Sequence, residues 1–136
     1  MVKIPKMIND VVIEFAPDVY ANNVHERLVA ALEFCIRPDV ASGQFLKKIY
    51  ISSAKQFGVQ NRHSMGKAVD IQRINGVFLV HGYNSSGAIT ALADAIQARF
   101  EEFEHRRENY GPGLRRRLGR EVEMDGYHDH IHLSIT

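Results

Sequence analysis

The chain is short of several things, and each shortage narrows what it can be. Cys35 is the only cysteine in 136 residues, which excludes an internal disulfide and any zinc site built on paired cysteines. It falls in a helical apolar pattern, where a buried structural thiol is expected. An excess of one charge is missing too. The 17 Lys and Arg face 16 Asp and Glu, for a formal net charge of +1, so there is no global pull toward nucleic acid or a membrane. No apolar run approaches the roughly 18 residues of a membrane span. Met1-Val-Lys-Ile-Pro-Lys-Met7 leads into neither the apolar stretch nor the small-residue cleavage site of a secretory signal. The expectation is a protein made in the cytoplasm that acts outside it only if something releases it. Repeats and low-complexity tracts are also lacking.

What remains is ordinary for a globular chain. With 45% hydrophobic and 24% charged residues, it suits one domain over 1–136, long enough to bury a core. Residues 1–20 read as an N-terminal arm, β-branched up to Pro17. Val24, Leu28, Ala31, Leu32, Cys35 and Ile36 recur at helical spacing, capped by Asn22 or Asn23 and stopped before Pro38. His25-Glu26 lies in that helix, but Val29 occupies the position where a zinc-protease helix needs its second histidine. Lys48–Ala54 reads as a strand. Ala68–Ile74 and Val77–Val80 flank Asn75-Gly76, a strong hairpin signal. Ile89, Leu92, Ala93, Ile96, Phe100 and Phe103 predict a long helix from Gly87 to about Glu108, capped by Ser85-Ser86. A loop with Arg115, Arg116, Arg117 and Arg120 follows, and Tyr127–Ile135 closes the chain as a strand. The expected class is α+β, a small antiparallel sheet with flanking helices.

One constellation carries chemistry. His63 precedes a strand that contains Asp70, and Gly66 between them allows the backbone to bend. The final strand adds His128, His130 and His132 at alternate positions, hence on one face, with Asp129 turned away unless the strand begins with a bend. Catalytic zinc takes three such protein donors and keeps a fourth position for water. Three same-face histidines do not all fit one ion, so one or two are left for chemistry.

His63-x-x-Gly66-x-Ala68-x-Asp70, followed by His130-x-His132 near the C-terminus, resembles the zinc D-Ala-D-Ala carboxypeptidases and the phage L-alanyl-D-glutamate endopeptidases. Their wider fold group also holds the lysostaphin-type peptidases and the hedgehog signalling domain. The resemblance runs from Asn22 through Ile49–Ala54 to the C-terminus. It implies that fold, a Zn2+ cofactor held by His63, Asp70 and His132, and hydrolysis of an amide in peptidoglycan stem peptides. It places Asp129 as general base, with His130 beside the metal to orient or stabilise. The lack of a leader and of a wall-binding module further suggests a phage lysis or virion-associated enzyme. One departure stands out: relatives carry an arginine after the Ile-Ser-Ser-Ala strand to bind a substrate carboxylate or oxyanion, whereas this chain has Lys55-Gln56. Arg62 or Lys55 is the expected replacement.

Two rival functions follow from the same residues. One is a zinc-containing binding or structural module without turnover. The other is a nucleic-acid binder using Arg106, Arg107, Arg115, Arg116, Arg117 and Arg120. The flanking Glu101, Glu102, Glu104, Glu108, Glu121 and Glu123 favour ion pairing over specific nucleic-acid binding. His128 reads as an exposed or supporting residue rather than a ligand.

Overall fold

The computed structural model describes all residues except 18, 20–22 and 55–64. The described residues form a mixed α+β structure around one large, mostly antiparallel open sheet. In chain order come β1 (Met7–Ile8), β2 (Val11–Phe15), α1 (Glu26–Cys35), β3 (Lys48–Ser53), β4 (Ala68–Ile74) and β5 (Val77–Phe78). Then follow α2 (Leu79–Gly82), α3 (Gly87–Phe100), β6 (Arg106–Tyr110), β7 (Arg115–Arg117), β8 (Arg120–Glu121) and β9 (Ile131–Ile135). The sheet order is β1-β2-β3-β4-β9-β6-β7-β8, with β5 paired to β4. Among the described residues, only β2 and β3 are parallel neighbours. The predicted N-terminal arm is therefore part of the sheet.

The β4–β5 hairpin forms as its sequence predicts. Asn75 and Gly76 both take positive φ, 51° and 79°, the geometry that a two-residue turn needs to follow strand twist. Asn75 also accepts hydrogen bonds from Lys47 N and Lys48 N at 2.7 and 3.1 Å, tying the turn to β3. The returning strand is shorter than predicted, since Leu79–Gly82 turns into a helix.

Other boundaries move for identifiable reasons. The cap of α1 is His25, whose Nδ1 accepts from Arg27 N at 3.1 Å, rather than an asparagine. The long helix stops at Phe100 instead of continuing to Glu108. Phe103, which helical spacing would claim, packs from the following turn against Phe34 and Phe100, with ring centroids 5.5 and 6.2 Å away. The chain is then free to return as β6, beside β9.

Ile49, Ile51, Ile71, Ile131, Leu133 and Ile135 are fully buried in one hydrophobic cluster with Leu28, Leu32 and Cys35 of α1 and Leu92, Ile96 and Phe100 of α3. Burial raises the Cys35 thiol to about 12, which makes it an inert packing residue, as expected. Asn109 is also buried. Its amide donates to Gln97 O at 2.8 Å and to the Glu101 carboxylate at 2.9 Å, and it accepts from Gln97 Nε2 at 3.0 Å. This polar junction fixes β6 against α3.

The strand register contains an irregularity that matters below. Tyr50 pairs with Arg73 and Ile51 with Ile71, so Gln72 is an extra residue in β4. In an unbroken strand, Asp70 and Arg73 would point to opposite faces. The bulge puts both on the face opposite the hydrophobic cluster.

Candidate metal centre

Paired residues on neighbouring strands share a face, and the register aligns two rows of them across β4, β9, β6 and β7. The first row is Asp70, His132, Tyr110 and Arg115. The second is Ala68, Ser134, Glu108 and Arg117. Two predicted ligands, distant in sequence, are thus direct cross-strand neighbours.

His132 stands between two carboxylates. Its Nδ1 lies 2.9 Å from Asp70 Oδ1 and its Nε2 lies 3.2 Å from Glu108 Oε1. The Ser134 hydroxyl donates to that same Glu108 oxygen at 2.7 Å. One face of the imidazole stacks on Tyr110, with centroids 5.6 Å apart and planes 17° apart, and Tyr127 approaches edge-on. His132 is only 8% exposed. Burial disfavours its charged form, but the hydrogen bonds to Asp70 and Glu108 outweigh this and hold it at about 9. Glu108 is held down at about 2, first by its hydrogen bond with His132 and further by Ser134, against the effect of burial.

Each imidazole nitrogen therefore has its own partner. With Nε2–H donating to Glu108, a neutral ring would leave the Nδ1 lone pair on the side of Asp70. The donor set fits zinc: an imidazole nitrogen and a carboxylate oxygen share one face and sit close enough to meet at one ion. Among the described residues, no three His, Cys, Asp or Glu side chains form a group able to hold a metal, so a three-ligand site needs a donor from outside them. The predicted third ligand, His63, lies outside the described residues, as do Arg62 and Lys55.

The predicted catalytic pair stands beside this centre. β9 begins at Ile131 rather than Tyr127, and the chain bends at 128–129 just before it. Simple alternation therefore does not govern His128, Asp129 and His130. His130 Nδ1 is 2.8 Å from Asp129 Oδ1, and His130 Nε2 is 3.9 Å from Asp70 Oδ1. That hydrogen bond holds the Asp129 carboxyl below its ordinary range. Tyr127, at φ 60°, packs its ring 5.1 Å from that of His130. The imidazole of His130 thus lies between Asp129 and the Asp70–His132 pair. His128 is turned elsewhere, with Nδ1 3.3 Å from Arg115 Nη2.

Sequence reading missed Glu108, Ser134, Tyr110 and Tyr127. Helical spacing puts Glu108 at the end of a helix, and charge pattern makes it one of the acidic partners of the arginines. Those partners do exist for Arg106 and Arg116, which lie 3.7 Å from Glu101. Arg117 instead donates from Nε to Tyr110 Oη at 2.9 Å.

If zinc binds His132, removing the Glu108 carboxylate should weaken that binding about 10- to 100-fold, the usual effect of losing a group that orients a ligand histidine. Glu108→Ala is expected to show this loss in a chelator-competition titration. Glu108→Gln keeps an acceptor oxygen for Nε2 and should recover part of it.

Compared with family profiles, curated proteins and solved structures, the chain shows no match.

Proposed function

We propose that the chain is a zinc-dependent metallopeptidase that hydrolyses an amide bond in bacterial peptidoglycan stem peptides, with a hedgehog or D-Ala-D-Ala-peptidase type of fold. The observation that carries this reading is the cross-strand pair Asp70–His132 with a second, carboxylate-linked histidine at its side. A purely structural zinc site uses closed coordination and has no need of such a neighbour. His63 completes the ligand set in this reading.

Zinc held by these residues would supply Lewis-acid chemistry, polarising the substrate carbonyl and lowering the pKa of a water to about 7. The chain's own residues supply the rest. Asp129 fixes the orientation of His130 through Nδ1 and stabilises the ring when it is charged. This leaves Nε2 of His130 facing the centre, where it can take a proton from the attacking water and pass it to the leaving amine. The sequence assignment made Asp129 the base and His130 its helper; in the proposed mechanism the two exchange roles. Tyr110 and Tyr127 wall the site with aromatic surface, which limits the orientations open to both histidines.

Incubation with purified peptidoglycan tests the proposal. New amino groups should appear, the release should stop with a chelator, and zinc should restore it. Stoichiometric zinc without any hydrolysis would favour a binding or structural module instead.

A further inference from the structure

The bulge at Gln72 brings Arg73 onto the same face as Asp70 and His132. Its guanidinium is clamped between two rings, with Cζ 4.1 Å from the centroid of Tyr50 and 4.2 Å from that of Phe78. Both rings belong to residues paired with Arg73, on β3 and β5. The clamp supplies no counter-charge. Nε of Arg73 is buried and, among the described residues, has no hydrogen-bond partner, and no carboxylate of those residues pairs with the side chain. Nε of Arg106, Arg107 and Arg116 also lacks a hydrogen bond, but Arg106 and Arg116, like Arg99, each pair with a glutamate at 3.3 to 3.7 Å. The acid nearest in register, Glu14, pairs with Tyr50 across β2 and β3, but its carboxylate is 3.7 Å from Lys48.

A planar cation held between aromatic rings, with Nε buried and the rest of a partly buried side chain left to present its terminal nitrogens, is a preorganised fork for a carboxylate. Holding the fork in advance removes much of the entropy that a mobile arginine loses on binding. We propose that Arg73 is the carboxylate-recognition residue of this site, and that the substrate is an acidic peptide. This rests on the peptidase reading for its role but not for its chemistry. Arg73 is three residue steps along the strand from Asp70, about 10 Å at most. The recognised carboxylate therefore lies roughly two to three residues from the bond that is cut. Arg73 thereby meets the need left by Lys55-Gln56, from a different strand than the resemblance implies.

Two measurements test the proposal separately from catalysis. The first follows the Arg73 Nε–H resonance by NMR during titration with N-acetyl-D-glutamate and with its diamide. A saturable shift with the acid and none with the diamide is expected, and it needs no turnover. The second compares hydrolysis of a stem pentapeptide with that of its fully amidated form. In wild type, amidation should raise KM about tenfold or more, the scale of hydrogen bonds to a charged group. Arg73→Gln should show the same rise on the acidic peptide, lose the discrimination, and keep its kcat and zinc content. Arg73→Lys should restore only part of it, since an ammonium lacks the planar fork. An unmoved Nε–H resonance, or equal discrimination in wild type and Arg73→Gln, would overturn the proposal while leaving the peptidase reading intact. A saturable shift in a protein that hydrolyses nothing would support the carboxylate seat and count against the peptidase.

Discussion

His132→Ala is expected to abolish stoichiometric zinc binding and, with it, hydrolysis. The loss should far exceed the roughly 10- to 100-fold that accompanies removal of an orienting partner such as Glu108, because a donor nitrogen itself disappears. The substitution also leaves Asp70 and Glu108 without the imidazole that both now contact, so the thermal midpoint of the metal-free protein should fall as well. His128→Ala provides the control. His128 contacts Arg115 rather than the Asp70–His132 pair, and its removal should leave zinc content unchanged. Metal analysis after exhaustive dialysis measures both variants. Retention of one zinc per chain by His132→Ala would contradict the assignment.

His130→Ala should lower kcat by roughly 100- to 10,000-fold, the usual contribution of a positioned acid–base group, with zinc still bound. Asp129→Ala should cost less, because it removes the group that orients the ring and not the ring itself. The comparison decides between the two assignments. If Asp129 takes the proton directly, its removal will be the more damaging of the pair, and His130→Ala will be the milder. Measuring kcat for both variants at matched zinc occupancy separates the outcomes.

Much of this architecture is legible in the residues, though unevenly. Asn75-Gly76 announces its turn because the required positive φ values suit those two residues. The apolar spacing of α1 and α3 announces their buried faces, including Leu28, Leu32, Leu92 and Ile96. Asp70 and His132, read as donors on two separate strands, are cross-strand neighbours. β6 stayed hidden because Arg106-Arg-Glu-Asn-Tyr110 shows no apolar alternation. The residue on its buried side is Asn109, whose polarity is satisfied by Gln97 and Glu101. With β6 unseen, Glu108 was unseen too, since only the register beside β9 brings it to His132. The bulge at Gln72 leaves no mark in composition, so Arg73 could not be placed on the face of Asp70 by counting residues. Similarly, only the bend at 128–129 explains why Asp129 and His130 contact one another rather than lying on opposite faces.

Placement of the charged loop shows the same division. Arg115–Arg117 and Arg120–Glu121 form two short strands at one edge of the sheet. Very short edge strands rich in charge resist unwanted pairing with other chains, which gives these arginines a structural task. Arg117 additionally reaches the Tyr110 hydroxyl in the wall of the site. No helix among the described residues is long and apolar enough to cross a membrane.

The central claim is that one zinc ion is held by His63, Asp70 and His132. X-ray absorption at the zinc edge of the wild-type protein tests it most directly. One zinc per chain is expected, with two imidazole nitrogens at about 2.0–2.1 Å and oxygen donors from a carboxylate and water completing a four-coordinate shell. Carefully prepared protein that retains no zinc, or a bound zinc whose shell lacks the two imidazoles, would contradict it.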